Sequence, residues 1–116
     1  ENYTLLYFII VKRMNKVKSK QNKWINPDTD ALFKAVLKLK KSDEVRRFFR
    51  DLLTESELVE LGQRWKVARM LARRISYSKI EQETGMSSTS IARVHKWLKK
   101  GMGGYKLVLE RLKEGR

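Results

Sequence analysis

At 116 residues and 41% hydrophobic content the chain has material for one small core, and one Pro with six Gly leaves so little turn chemistry that helix is the default. The absence of Cys excludes a disulfide framework and a thiolate metal site, and the single His95 excludes a multi-histidine one. A formal charge of +14 points to a polyanion, either nucleic acid or an anionic membrane surface.

Residues 1–13, ENYTLLYFIIVKR, carry the longest apolar run. At about nine residues it falls well short of the roughly 20 that span a bilayer. With no basic segment before it and no small-residue cleavage site after it, it does not read as a signal peptide. Met14 followed by NKVKSKQNK reads as a start, so residues 1–13 are expected to be an upstream extension outside the native chain, the alternative being a strand or helix turn packed on the domain. Lys16 to Lys23 reads as a flexible basic arm, and residues 1–25 are set apart from a helical domain over 26–114.

Asn26-Pro27-Asp28 signals a helix start, and Leu32, Phe33, Val36, Leu37 and Leu39 follow at helical spacing to about residue 40. Ser42 is a candidate cap for a second, short helix in which Val45, Phe48, Phe49 and Leu52 fall at i, i+3, i+4 and i+7. Thr54 and Glu57 form a capping box before a long helix whose expected buried face is Leu58, Leu61, Trp65, Ala68, Leu71, Ala72 and Ile75. Val59, Val67 and Met70 widen that face, which suggests a second surface to cover and hence a homodimer. The glycines of GMGG, 101–104, read as a helix end and hinge, since a phosphate loop needs a preceding strand and a following Lys-Ser/Thr. Tyr105, Val108, Leu109 and Leu112 mark a last amphipathic helix.

Between these lies EQETGMSSTSIARVHKWLKKG, residues 81–101. A helix-turn-helix needs a Gly where the backbone turns left-handed and apolar residues that lock two steeply crossed helices. With Gly85 at the turn, Ile80, Met86, Ile91 and Val94 fall at the inward positions, and the motif spans about 76–99. Ser76 or Ser78 can cap its first helix and Ser87 its second. Thr84 stands at a usually apolar position and Glu81 where a small residue is preferred.

The outward face then shows Ser88, Thr89, Ala92 and Arg93, with Lys96 a turn later. Short hydroxyl and methyl side chains let a helix approach base edges, and Arg and Lys reach phosphate or guanine. Runs of bases are usually solvated faces. Here no acid occurs between Glu83 and Glu110, while Arg93, Lys96, Lys99, Lys100 and Lys106 accumulate. That coincidence favours double-stranded DNA. Ser78, Lys79, Ser87, Ser88, Thr89, Ala92, Arg93, Lys96, Lys99 and Lys100 are the candidate DNA contacts.

LTESELVELGQRWKVARML (53–71), YSKIEQETGMSSTSIARVHKWL (77–98) and GYKLVLERL (104–112) together resemble the tryptophan repressor superfamily, most closely its TrpR-like YerC/YecD branch. The resemblance implies an all-α, six-helix chain in an intertwined homodimer, with the fourth and fifth helices as the helix-turn-helix. It also implies a transcriptional regulator at a palindromic operator. In tryptophan-binding members an indole lies between two arginines and sets the tilt of the reading helices. Arg64 and Arg93 match those arginines, and Thr54 matches a nearby polar contact. Val94, however, replaces a Gly and Trp97 a small Ser. Overfilling a packed site costs about 1–3 kcal/mol. The protein itself is therefore expected to fill the pocket, which argues against tryptophan or another small-molecule corepressor.

The expected function is sequence-specific transcriptional regulation, as a repressor in the cytoplasm at the nucleoid. No enzymatic constellation appears, and no membrane partner is expected. The alternative is the DNA-binding fragment of a recombinase or transposase.

Overall fold

Six helices are expected after residue 26, and all six form. The computed structural model describes residues 2–19 and 22–114. Among these the helices are α1 (Asn2–Ser19), α2 (Pro27–Val36), α3 (Ser42–Leu52), α4 (Glu55–Ala72), α5 (Tyr77–Thr84), α6 (Ser88–Lys100) and α7 (Gly104–Glu114), with no strand. The count is thus seven rather than six, and the helix-turn-helix is the fifth and sixth helices. The additional one is α1, which runs through the expected extension into the basic arm as far as Ser19. Nothing between Asn2 and Ser19 breaks it, since the segment has neither Pro nor Gly. Lys20 and Gln21 lie outside the described residues.

The chain divides into two compact units, Glu1–Phe49 and Arg50–Arg116. In the first, Asn26 caps α2: its side chain accepts the Thr29 N–H at 2.9 Å, and the Thr29 hydroxyl accepts the Asn26 N–H at 3.2 Å. Pro27 supplies the preset φ of a first helical turn. Ser42 does not cap α3. The helix begins on the Lys41 carbonyl, which accepts the Val45 N–H, and the Glu44 carboxylate reaches back to accept the Lys40 and Lys41 N–H groups at 2.8 and 3.3 Å. Those backbone donors hold the Glu44 carboxyl below its ordinary pKa. Neither α2 nor α3 has a fully buried residue.

The second unit holds the core: Val67, Ala68, Met70 and Leu71 of α4, Ile80 of α5, and Ile91 and Val94 of α6. Its position corrects the expected face of α4. Val67 and Met70 are core residues, whereas Leu61 and Ala72 are exposed and Leu58 and Trp65 only half-buried. The reason is length. At about 1.5 Å per residue, the 18-residue α4 outruns the 8-residue α5 that crosses it, so burial concentrates where α5 and α6 meet α4. Thr54 and Glu57 form the expected capping box, with the Glu57 carboxylate accepting the Thr54 N–H at 2.9 Å. Gly101 ends α6, where any Cβ would collide with the Trp97 carbonyl, and Gly103 turns the chain at φ +81° into α7. Trp65 of α4 stacks on Tyr105 of α7, centroids 6.0 Å apart.

Two outcomes follow from this packing. Ile91 is fully buried, so Ile91→Ala should remove about 2–5 kcal/mol of unfolding free energy in urea titrations, whereas Gln82→Ala, at an exposed position, should stay within about 0.5 kcal/mol. The second outcome concerns acid. Hydrogen bonds from the Thr54 backbone N–H and then its hydroxyl lower the Glu57 pKa. A depressed carboxyl contributes stability that is complete above its unfolded pKa and is lost as pH falls through the folded value. Glu57→Gln should therefore lose less stability than the wild type between neutral and acid pH, measured as the urea midpoint at each pH.

Candidate nucleic-acid interface

Ser76 caps α5 by accepting the Lys79 N–H at 3.3 Å, and Ser87 caps α6 by accepting the Ser90 N–H at 3.2 Å. Between the two helices Gly85 sits at φ +73°, the left-handed conformation that a turn of this type requires. Thr84 fits the apolar site through its hydroxyl, which donates to the Ile80 carbonyl at 2.6 Å and accepts the Met86 N–H at 3.2 Å. Both polar groups are thus satisfied within the turn. Glu81 points to solvent, so its size costs nothing there.

Ile80, Ile91 and Val94 are buried, and Met86 is half-buried against them. Fixing Ile91 and Val94 inward fixes what faces out. Ser88, Thr89, Ala92, Arg93, Lys96, Lys99 and Lys100 are all exposed and follow one another along the outer side of α6. Ser78 and Lys79, exposed in the first turn of α5, and Ser87 at the α6 cap complete the ten residues anticipated as DNA contacts. All ten belong to the second unit.

The helix starts differ in charge. α2, α3 and α4 each carry two acids in the first turn, which complement the positive end of the helix dipole. α5 and α6 carry none, as is also true of α1 and α7. The first turns of α5 and α6 therefore set no carboxylate against an anion at those helix ends. Lys99 and Lys100 occupy the last turn of α6, where cations suit the negative end.

The residues matched to an indole pocket are differently placed. Thr54 is the α4 cap, and Arg64 lies on α4 about half-exposed, paired with Glu60 at 3.8 Å. Arg93 is exposed, and Val94 belongs to the core at 3% exposure. Trp97 is 50% exposed, with the Lys96 ammonium 5.6 Å from its ring centre. It lines an apolar groove of about 570 Å³ together with Trp65, Met102, Tyr105 and Val108.

One contact was not anticipated from the sequence. The Tyr77 hydroxyl and His95 Nδ1 lie 2.7 Å apart, joining the first residue of α5 to the middle of α6. Tyr77 precedes buried Ile80 by three residues and His95 follows buried Ile91 by four, so both fall on inward faces once the register is known.

Residues 27–113 match the model of the family described as Trp repressor protein. The chain is 46% identical over 87 residues to the uncharacterised protein YerC of Bacillus subtilis (strain 168), covering 75% of this chain and 84% of that one. Among solved structures it is similar to a TrpR-like protein from Eubacterium eligens, with a TM-score of 0.75 and 41% identity over 79% of this chain and 95% of that one. A related chain from Staphylococcus aureus gives a TM-score of 0.73 and 38% identity, with 78% and 91% covered. Helix order, a Gly-turned pair of helices with the right inward residues, and these likenesses agree: the chain belongs to the Trp repressor family, on its TrpR-like, YerC branch.

Proposed function

We propose that this protein is a DNA-binding transcriptional regulator that reads a palindromic operator as a homodimer and represses by occluding it. The observation that carries the reading is the outward face of α6. Short side chains at Ser88, Thr89 and Ala92 lie exposed on a helix whose opposite side is locked by Ile91 and Val94, and bases follow at Arg93, Lys96, Lys99 and Lys100. A face of that kind can enter a major groove closely enough to read base edges while its cations and the α5 and α6 amides hold phosphates. Membership of a repressor family supports the same reading, as does the +14 charge. It also supports a site of action at the nucleoid, with no enzymatic step.

A second copy is proposed to cover apolar surface that one chain leaves open. In the second unit Leu52, Val59, Leu61, Met102, Leu107 and Leu112 are all exposed, more than solubility favours. A two-fold dimer of this type presents its reading helices about 34 Å apart, one turn of DNA.

The test is selection of an operator from random DNA, followed by titration at several salt concentrations. Lys96→Ala should weaken operator and random DNA alike and reduce the salt slope by about one, whereas Thr89→Ala should cost about 1–3 kcal/mol and relax preference at one position of each half-site. Affinity that does not fall with salt would sink the proposal. Operator affinity should also be unchanged by saturating tryptophan, because Val94 occupies the core and Trp97 adds bulk beside it. Clear tightening of the complex with tryptophan, read in the same titration, would contradict that part of the reading.

A further inference from the structure

We infer that Tyr77 and His95 are positioning residues whose hydrogen bond sets the orientation of α6 and thereby its ability to discriminate base sequence. The inference rests on the DNA-binding reading above.

Among the described residues, Tyr77–His95 is the one side-chain pair that hydrogen-bonds from helix to helix. The ion pairs Asp43–Arg47, Glu60–Arg64 and Glu110–Lys113 each stay within a single helix. The other side-chain to side-chain hydrogen bonds join residues no more than four apart. Beyond the turn itself, where Thr84 accepts the Met86 N–H, the core between α5 and α6 is apolar: Ile80, Ile91 and Val94, with Met86 packed against them. Apolar burial is non-directional and tracks area, so a small rotation of α6 about that contact changes it little. A hydrogen bond is directional and weakens steeply once stretched or bent. At 2.7 Å, with the rings edge to face at 69° and centroids 5.7 Å apart, this pair resists such a rotation.

Its location matters as much as its uniqueness. Tyr77 follows the Ser76 cap directly, beside exposed Ser78 and Lys79, which belong to the proposed phosphate anchor. His95 sits between Ala92 and Lys96 on α6 but is half-buried, so it braces the reading face from behind. The pair therefore ties the element proposed to grip the backbone to the element proposed to read bases. Base readout tolerates only about half an ångström and 10–20° of misplacement, whereas phosphate contact by flexible Lys tolerates far more. Loss of the tie should therefore erode discrimination and spare charge-driven binding.

The experiment uses the full chain and the operator selected with the wild type, comparing Tyr77→Phe, His95→Phe, the double variant and His95→Asn. Asn places an amide group near the position of Nδ1 and so tests rescue. Expected is a roughly tenfold fall in the ratio of operator to random-DNA affinity for both Phe variants, the cost of one hydrogen bond. The double variant should be no worse, His95→Asn should recover part of the ratio, and random-DNA affinity and salt slope should remain those of the wild type. Two results overturn the inference: an unchanged ratio in Tyr77→Phe, or operator and random binding falling together with the thermal midpoint, as for a merely structural contact. A wild-type protein that selects no sequence at all overturns the DNA-binding reading itself, and that result is seen before any variant is compared.

Discussion

Everything distinctive about the second unit depends on one aliphatic junction, where Ile80, Ile91 and Val94 close onto Val67, Ala68, Met70 and Leu71. Three helices meet there, and two of them are too short to be stable alone in water. α5 and α6 are helical because α4 gives their apolar stripes a surface to cover. Once that junction forms, helical periodicity leaves no freedom in which side chains of α6 face out. The proposed reading surface is thus a consequence of core packing, and a change of register by one residue would turn hydroxyls inward and isoleucine outward. Gly85 belongs to the same constraint. Its φ of +73° lets α6 leave the turn at the angle that brings Ile91 and Val94 back onto α4.

Charge is unevenly distributed along the chain. The carboxylates that modify local structure, Glu44 and Glu57, sit at the starts of α3 and α4, where backbone N–H groups hold them ionised. From Thr84 to Leu109 there is no acid, and five bases have no internal counterion in that stretch. A surface of this kind repels itself at low salt, and the repulsion is relieved when a polyanion approaches. The same arrangement that costs stability in the free chain becomes favourable on binding. Its strength is set by ionic conditions, since screening acts over about 8–10 Å near physiological salt.

How much of this the sequence disclosed varies with the kind of signal. Most helix starts were legible because caps act over about three residues: Thr54 and Ser87 cap as expected, Ser76 rather than Ser78 caps α5, and Asn26 opens α2, whereas at α3 Glu44 reaching back to Lys40 and Lys41 takes the place expected of Ser42. The inward positions around Gly85 were legible for the same reason, since one turn and one period fix them. The buried face of α4 was not. Periodicity identifies a stripe, but which part of it is covered depends on where α5 and α6 cross, which explains why Val67 is core and Leu61 is not. The helical state of residues 2–19 was missed because an isolated apolar run next to bases has no periodic face. Tyr77–His95 was hidden by separation: the two residues are 18 apart, and only the finished turn brings them together. The ten proposed DNA contacts were legible as a group because helical spacing around buried Ile91 and Val94 places those of α6 on its exposed side.

Val94 and Trp97 connect the core to the question of control. A small residue at 94 would leave room beside α6, and a ligand filling that room could set the helix angle. Here Val94 is itself part of the core, at 3% exposure, and the bulk of Trp97 lies half-exposed one turn on. On the proposed reading, filling the space from within removes the ligand as the source of orientation, so another contact has to supply it. Aliphatic packing alone does so poorly, because it is indifferent to small rotations. A directional bond between the two helices is the remaining means, and Tyr77 with His95 is where the described chain has one. On that reading, Val94 in the core makes a polar tie between α5 and α6 more consequential than it would be beside a small residue at 94.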